Sequence, residues 1–172
     1  MELTDAKVLS EVEHGKLQVL LEKNAVHEFR NTTFLWMLLY TGARVSEMLG
    51  VTKADLKDEG MTIFITGLKG SNSRNLPLTP FLFNRMKILI KDLDETGLPF
   101  PFGYHNARAI WLNYRPVKKK IHSLRHYRAL SIYRKTKDIL MVKRVLGHRS
   151  IETTMVYLDY EQGNEDMRRA FM

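Results

Sequence analysis

Six side chains along this sequence combine the chemical types needed to break a phosphodiester bond without a metal ion. They comprise two guanidinium groups, two imidazoles, one ammonium and one phenol: Arg44, Lys69, His122, Arg125, His148 and Tyr157. An arginine stays charged and can hold two phosphate oxygens at once, so a pair supplies electrostatic stabilisation that other enzymes take from magnesium. A tyrosine hydroxyl is an oxygen nucleophile, but its pKa of about 10 means that it needs a proton acceptor or cationic surroundings. A histidine can accept that proton near neutral pH.

Taken singly, most of these residues have an ordinary structural explanation. Arg44 could pair with Glu47, three residues later, and Lys69 lies beside a polar turn, where exposed lysines are common. His148 could interact with the end of a helix, and Tyr157 could be an aromatic residue of the core. It is their joint occurrence that indicates chemistry on a phosphate ester.

His122 and Arg125 lie three residues apart on a predicted helix and therefore share a face. Together they direct a titratable ring and a charged fork towards one ligand. His122 and His126 also have the spacing of helical zinc ligands, but no glutamate lies between them and no third ligand is evident. We therefore expect neither a metal nor any other cofactor.

The positive charge of the chain is concentrated in one segment. The 172 residues carry a formal net charge of +8, and residues 115–149 hold twelve Lys or Arg against one acid, Asp138. The remainder holds 15 basic and 18 acidic residues. Such a patch suits a polyanion, because each neutralised phosphate releases condensed counterions, although a basic run can also be a solvated helix face.

Composition excludes several other classes of protein. The chain has no cysteine, so it forms no disulfide and uses no thiol in catalysis. Its N-terminus lacks a secretory signal, and no apolar run approaches the roughly 18 residues of a membrane span. We therefore expect a cytoplasmic protein, built as a single domain over residues 1–172.

Helices must position most of the six residues. A capping box of Ser10 and Glu13 predicts a first helix that ends near Lys23. The alternating, β-branched stretch 61–66 predicts a strand that returns at 75–78 after a polar turn. Further helices are expected at about 27–40, 46–50, 80–94, 105–114, 122–136, 137–146, 151–158 and 161–172. In the second helix the predicted buried stripe is Phe34, Leu35, Leu38 and Leu39. The predicted fold class is mainly α with a small antiparallel β-sheet, an α+β fold.

The order and spacing of the motifs resemble the catalytic domain of the tyrosine recombinases, the phage-integrase family. The resemblance runs from about Ser10 to Asp159. It begins at 41–47, which is similar to the family's Thr-Gly-x-Arg-x-Ser-Glu stretch. The hairpin lysine of the family is then followed by a glycine, an arginine and a proline at fixed offsets, and the matching residues here are Gly70, Arg74 and Pro77.

The second half of the resemblance lies in and just beyond the basic segment. His122 and Arg125 match the family's His-x-x-Arg pair, and residues 146–148 match its Leu-Gly-His. The nucleophile of the family stands nine residues after that histidine, behind paired threonines, and Tyr157 has this position. Each motif is weak alone, but all of them in order at these spacings are specific.

The resemblance implies site-specific cleavage and rejoining of DNA strands, as in the recombination and integration of mobile elements. Tyr157 would attack the scissile phosphate, giving a 3′-phosphotyrosyl link and a free 5′-hydroxyl, while Arg44 and Arg125 clamp the phosphate oxygens. His122 would accept the tyrosine proton or orient the phosphate. Lys69 would protonate the leaving 5′-oxygen, and His148 would donate a hydrogen bond to a non-bridging oxygen.

The partner that the resemblance implies is double-stranded DNA, on which the protein would self-associate as a tetramer. Within the basic segment, our candidates for contacts with the phosphate backbone are Lys118, Lys119 and Lys120. Family members usually carry an N-terminal helical domain that completes a clamp around DNA. With about nine residues before the first helix, we expect this chain to lack it.

The sequence departs from the family pattern at three places. The hairpin reads Gly-Leu-Lys-Gly instead of Gly-Lys-Gly, which leaves the strand register near Lys69 open. Asn72 stands where a second lysine is often found. Tyr160, three residues after Tyr157, competes for the role of nucleophile.

Three other functions stay open on the sequence. A type IB topoisomerase uses similar chemistry to relax supercoils without exchanging strands between partners. A DNA-binding module without catalytic activity would bind DNA and form no covalent adduct. A ribonuclease or phosphatase with a His–Arg site would not need Tyr157.

Overall fold

The computed structural model describes residues 3–68 and 70–172, and the side chains of all of these except 164–168. Across the described residues the chain forms eight α-helices and three short strands. The helices are α1 (Glu11–Lys23), α2 (Phe29–Thr41), α3 (Val45–Leu49), α4 (Pro80–Ile90), α5 (Tyr104–Tyr114), α6 (Ser123–Thr136), α7 (Ile139–Leu146) and α8 (Glu152–Phe171). The strands are β1 (Leu56–Lys57), β2 (Thr62–Ile65) and β3 (Arg74–Pro77). The predicted fold class is confirmed.

Local sequence explains where several helices begin and end. Ser10 and Glu13 form the predicted capping box of α1: the backbone nitrogen of Glu13 donates to the Ser10 hydroxyl at 3.2 Å, and that of Ser10 donates to the Glu13 carboxylate at 2.8 Å. Thr79 caps α4, and Pro80 is its first residue. Gly42 ends α2 in the left-handed conformation, with φ of 64°.

The sheet is antiparallel with strand order β1-β2-β3. Ile63 of β2 stands opposite Leu56 on one side and Leu76 on the other. The predicted strands 61–66 and 75–78 are therefore confirmed to within a residue or two at each end. The sequence did not predict β1, because two residues are too few to show an alternating pattern.

Helix α2 lies at the centre of the fold and packs against α1, α3, α4 and α6. The predicted buried stripe of this helix is confirmed, and Thr32, Thr33 and Met37 are buried as well. A helix that is buried on nearly every side belongs to the interior of a domain and not to its surface.

A second group of buried residues joins the N-terminal segment, α6, α7 and α8. It includes Leu3, Val8, Leu130, Leu146 and Tyr157. The candidate site lies beside this group.

The prediction of two separate helices at 151–158 and 161–172 was wrong, because α8 is continuous from Glu152 to Phe171. No proline or glycine interrupts residues 152–162. The junction is also held by partners distant in sequence, since the Tyr160 hydroxyl donates to Asp5 and Arg134 donates to Glu161. Among the helices of the described chain, none is long and apolar enough to cross a membrane.

Candidate active site

Five of the six predicted site residues line one cavity of about 450 Å³. They are Arg44, His122, Arg125, His148 and Tyr157. The cavity lies between the starts of α3 and α6, the loop after α7, and α8, and it is also lined by Leu3 and Lys7 of the N-terminal segment. The sixth residue, Lys69, lies outside the residues that the structure describes.

Arg125 is a buried anchor between two loops of the site. Its Nη1 donates to the carbonyl of Gly42 at 2.6 Å, and its Nη2 donates to the carbonyl of Leu146 at 3.0 Å. Burial and the neighbouring charge of Arg44 lower the pKa of Arg125 to about 10, so it stays charged at neutral pH. One guanidinium thus fixes the end of α2 to the end of α7 and places a positive charge at the cavity.

Arg44 is held by a buried carboxylate. Glu47 accepts hydrogen bonds from the backbone nitrogen of Arg44 at 2.9 Å, from its Nη1 at 3.2 Å and from Nη2 of Arg74 at 2.9 Å. Burial alone would raise the pKa of Glu47, but the hydrogen bonds and charge of Arg74 and the Arg44 backbone lower it to about 2. The carboxylate is therefore ionised, and Arg44 still has 29% of its side chain exposed for a ligand.

The turn end of the β2–β3 hairpin is bonded to the loop that carries His148. Arg74 donates from Nε to the carbonyl of Val145 at 2.7 Å. The backbone nitrogen of Asn72 donates to the carbonyl of Gly147 at 2.7 Å, and Ser71 forms an isolated β-bridge with His148. The position of Arg74 in the network with Glu47 was not predicted from the sequence.

Two features of Gly147 allow the contact between the hairpin and the His148 loop. Its φ is 73°, in the left-handed region that glycine adopts without strain. A Cβ atom here would lie 2.6 Å from the carbonyl oxygen of Asn72 and 2.8 Å from Nη1 of Arg74. The hairpin can therefore approach the loop closely only because this residue has no side chain.

His148 is buried, and its Nδ1 lies 3.0 Å from the hydroxyl of Thr154. Burial, followed by the charges of Arg125 and Arg44, lowers the pKa of His148 to about 3, so the ring is neutral at pH 7. When Nδ1 accepts a hydrogen bond from the Thr154 hydroxyl, the one proton of the neutral ring is on Nε2. His148 can then donate one hydrogen bond through Nε2.

Tyr157 is directed into the site and is only 2% exposed. Its hydroxyl lies 3.1 Å from Nδ1 of His126, and its ring is parallel to that of His148 with centroids 6.4 Å apart. Burial raises the pKa of Tyr157 to about 12, although the charges of Arg125 and Arg44 act in the opposite direction. The phenol is therefore protonated at neutral pH.

Tyr160, the competing tyrosine, has a different environment. Its hydroxyl donates to a carboxylate oxygen of Asp5. It packs beside the second buried group, whereas Tyr157 lines the cavity with the two arginines. This geometry favours Tyr157 as the nucleophile.

Comparison with known proteins identifies the family. A family model described as the phage integrase family matches residues 7–163. The chain belongs to this family. A tyrosine recombinase of Pseudothermotoga lettingae is 30% identical over 155 residues, which cover 84% of this chain and 54% of that protein. This integrase-family chain thus spans about half the length of the curated relatives that it matches.

Solved structures show the same fold. The catalytic domain of bacteriophage HP1 integrase has a TM-score of 0.69 at 26% identity, covering 90% of this chain and 88% of that one. XerH recombinase in a pre-cleavage complex with its difH substrate has a TM-score of 0.70 at 24% identity, covering 95% and 55%. At that identity the likeness to XerH shows the fold alone. The resemblance to the tyrosine recombinase catalytic domain is confirmed.

Sequence reasoning missed one residue of the integrase site, His126. The sequence suggested it only as a zinc ligand with His122, yet it is the residue whose ring contacts the Tyr157 hydroxyl. The two histidine rings are 4.7 Å apart, edge to face. The pattern that could have found it is the one-turn spacing from His122, which brings both rings to the same face of α6.

His122 and His126 differ in their shielding from solvent. Burial, followed by the charges of Arg125 and Arg44, lowers the pKa of His122. Its side chain is nevertheless exposed at the cavity, so solvent weakens this effect. His126 is better covered, and burial together with the charges of His122 and Arg125 lowers its pKa to about 4.

The three candidate DNA-binding lysines of this integrase-family chain differ in their surroundings. Lys118 and Lys120 are exposed. Lys119 instead points inward, where its Nζ forms an ion pair with Glu13 at 2.6 Å and donates to the carbonyl of Val8 at 2.6 Å. The prediction for Lys119 is therefore corrected, because its ammonium fastens the start of α1 and is not presented to a phosphate.

Proposed function

We propose that this domain cleaves and rejoins DNA strands at specific sites through a covalent bond between Tyr157 and a 3′-phosphate. The observation that carries the proposal is the position of the Tyr157 hydroxyl, which is buried in the same cavity as Arg44 and Arg125 and touches a neutral imidazole. Family membership and the DNA-bound XerH relative support it.

The two arginines form the phosphate-binding element of this proposal. Arg125 is fixed by two backbone carbonyls and Arg44 by Glu47, so both charges are in position before a substrate arrives. Charge develops on the non-bridging oxygens as an oxygen attacks phosphorus. Donors that need no rearrangement stabilise that charge most effectively.

In the proposed reaction, the phenolic oxygen of Tyr157 forms a bond to phosphorus and the bond from phosphorus to the 5′-oxygen breaks. Lys69 gives a proton to the leaving oxygen, and His148 donates through Nε2 to a non-bridging oxygen. Because His126 makes the contact with the Tyr157 hydroxyl, we assign His122 the role of orienting the phosphate. The phosphotyrosyl bond conserves the energy of the broken bond, so the reverse step rejoins a strand without a nucleotide.

Double-stranded DNA is the proposed partner, and basic side chains at the surface are the candidates for holding the duplex. Lys118 and Lys120 lie on the loop before α6. Lys143 and Arg144 line a second cleft of about 300 Å³ next to His148. Self-association as a tetramer on DNA and action at the nucleoid within the cytoplasm remain parts of the proposal that rest on the family resemblance.

A suicide substrate tests the function. In a pool of nicked duplexes with randomised sequence, cleavage beside the nick lets the short 5′-hydroxyl product diffuse away, so the covalent adduct accumulates and can be resolved on a denaturing gel. We expect the wild type and Tyr160→Phe to form an adduct and Tyr157→Phe to form none. An adduct with Tyr157→Phe, or none with the wild type, would overturn the proposal. Relaxation of plasmids that lack any selected site would indicate a topoisomerase instead.

The salt dependence of DNA binding tests the two exposed lysines. The double variant Lys118→Gln, Lys120→Gln should reduce the slope of log K against log salt by about 0.9 for each phosphate that these lysines neutralise in the wild type. Lys119→Gln is the matched control, because its ammonium lies in an ion pair and its removal should lower stability without changing the slope. Binding titrations at several salt concentrations measure both slopes. An unchanged slope in the double variant would show that these two lysines do not contact DNA phosphates.

A further inference from the structure

The hydroxyl of Tyr157 and Nδ1 of His126 are 3.1 Å apart, within hydrogen-bond distance. The two rings are tilted by 54° with centroids 5.8 Å apart, so the contact is made at the polar edge of the imidazole. The imidazole of His148 is oriented differently. His148 lies parallel to the tyrosine ring, and its Nδ1 faces Thr154.

The charge states of the two groups allow the phenol to donate this hydrogen bond. The phenol keeps its proton, because burial raises the pKa of Tyr157 to about 12. The imidazole is neutral, because burial and nearby charges lower the pKa of His126 to about 4. A protonated phenol beside a neutral ring can donate to Nδ1, provided that the ring proton is on Nε2.

The cavity that His126 lines also contains charged and titratable groups from every element that forms it. They are Lys7, Arg44, His122, Arg125, His148, Glu152 and Tyr157. In the DNA-free protein the cations among them oppose a charge on His126. A phosphate held between Arg44 and Arg125 brings negative charge into the cavity that His126 also lines, and a nearby opposite charge favours the imidazolium. Substrate binding therefore makes His126 a stronger base at the moment when Tyr157 must lose its proton.

We propose that His126 is a catalytic residue that takes the hydroxyl proton of Tyr157 during cleavage and returns it during rejoining. This inference rests on the proposed function. The O–H bond of Tyr157 breaks as Nδ1–H forms, and the bond from the phenolic oxygen to phosphorus forms as the bond from phosphorus to the 5′-oxygen breaks. The 5′-oxygen receives its proton from a separate acid, so His126 remains an imidazolium until the reverse step.

The variant His126→Asn separates proton transfer from positioning. An asparagine amide oxygen can accept the Tyr157 hydrogen bond near the position of Nδ1 but cannot take the proton at neutral pH. A positioned base contributes about 10²–10⁴-fold, so adduct formation on the nicked duplexes should slow by about 10²-fold or more at pH 7. The deficit should shrink as pH rises, because hydroxide then removes the phenolic proton in place of the base.

His122→Asn is the control for a residue that orients the phosphate. It should slow adduct formation by the same factor at every pH, and Tyr157→Phe should form no adduct. The inference is overturned if His126→Asn reacts as fast as the wild type, or if its deficit is constant with pH as in the control. Thermal melting and DNA binding of each variant establish that it is folded.

Nitrogen NMR of histidine-labelled wild-type protein gives a second test that does not need an active substrate. At neutral pH the His126 ring should have an unprotonated Nδ1 and a protonated Nε2, and its resonances should shift in Tyr157→Phe. A protonated Nδ1 would overturn the inference, because the ring would then donate to the phenol. If the wild type forms no adduct, the proposed function fails, whereas the tautomer still reports on His126 separately.

Discussion

Helix α2 is buried on nearly every side, whereas α8, which carries Tyr157, packs along one side only, against α6, α7 and the N-terminal segment. Among the α8 residues whose side chains are described, Thr154 and Tyr157 are buried. The partners of this helix are His126 for Tyr157, His148 for Thr154, Asp5 for Tyr160 and Arg134 for Glu161. Each such hydrogen bond contributes about 1 kcal/mol net, less than the burial of one large apolar side chain.

The two helices also differ in which residues of the candidate site they hold. The interior helix fixes Arg44 and Arg125 through its end at Gly42 and through α3. Among the side chains that the structure describes, fewer are buried on α8 than on α2. Under the proposed function, the two phosphate-binding arginines are therefore attached to the better-packed part of the fold and the tyrosine to the less buried part.

The largest expected effect is on stability and comes from α2. Phe34 is fully buried, and Phe34→Ala should lower the free energy of unfolding by about 3–5 kcal/mol, because it leaves a cavity in the core. Phe171→Ala on α8 is the matched control, since that phenylalanine is 83% exposed and its removal should change little. Urea denaturation measures both, and similar destabilisation of the two variants would contradict the contrast.

Acid should loosen α8 before α2. His126 and His148 have pKa values of about 4 and about 3 in the folded protein, against an ordinary value of 6.5. Between these values the unfolded chain binds more protons than the folded one, so the stability that they contribute is lost as pH falls from about 6.5 towards 3. Both rings contact α8.

Methionine methyl NMR can follow the two helices separately in that titration. Met155 lies on α8 and Met37 on α2. We expect the Met155 signal to broaden or shift at a higher pH than the Met37 signal. Simultaneous changes in the two would mean that the helices unfold as one unit.

The smallest expected effect on stability comes from removing one hydrogen bond of α8. Tyr160→Phe removes the hydrogen bond to Asp5 and should cost about 1 kcal/mol, with faster amide exchange in α8 and unchanged exchange in α2. Tyr104→Phe is the control, because Tyr104 is 56% exposed on α5. Hydrogen-exchange mass spectrometry makes the measurement. A decrease of protection in α2 equal to that in α8 would remove the distinction between the two helices.

The sequence predicts best the features that depend on neighbouring residues. The capping box of Ser10 and Glu13, the Thr79-Pro80 start of α4 and the glycine at the end of α2 are all local, and the structure has them where predicted. The convergence of five site residues on one cavity was also predicted, but through the family resemblance and not through any local pattern.

What the sequence did not predict depends on contacts between distant residues. The continuity of α8 is supported by Asp5 and Arg134, far from it in the chain. The inward turn of Lys119 requires Glu13, on a helix 106 residues earlier. His126 contacts a tyrosine 31 residues later, and Arg74 contacts a glutamate 27 residues earlier. No periodicity or propensity encodes such pairs.

The bonds between the turn end of the hairpin and the His148 loop limit how the chain can be redesigned. Ser71, Asn72 and Arg74 all meet the 145–148 stretch, so a residue inserted or deleted among them would shift His148 relative to Arg125. The segment before Ser71 is bonded to the 71–74 stretch, because the backbone nitrogen of Gly67 donates to the Ser73 hydroxyl at 2.9 Å. The spacing from Gly67 to Arg74 is therefore a length that a redesigned chain must keep.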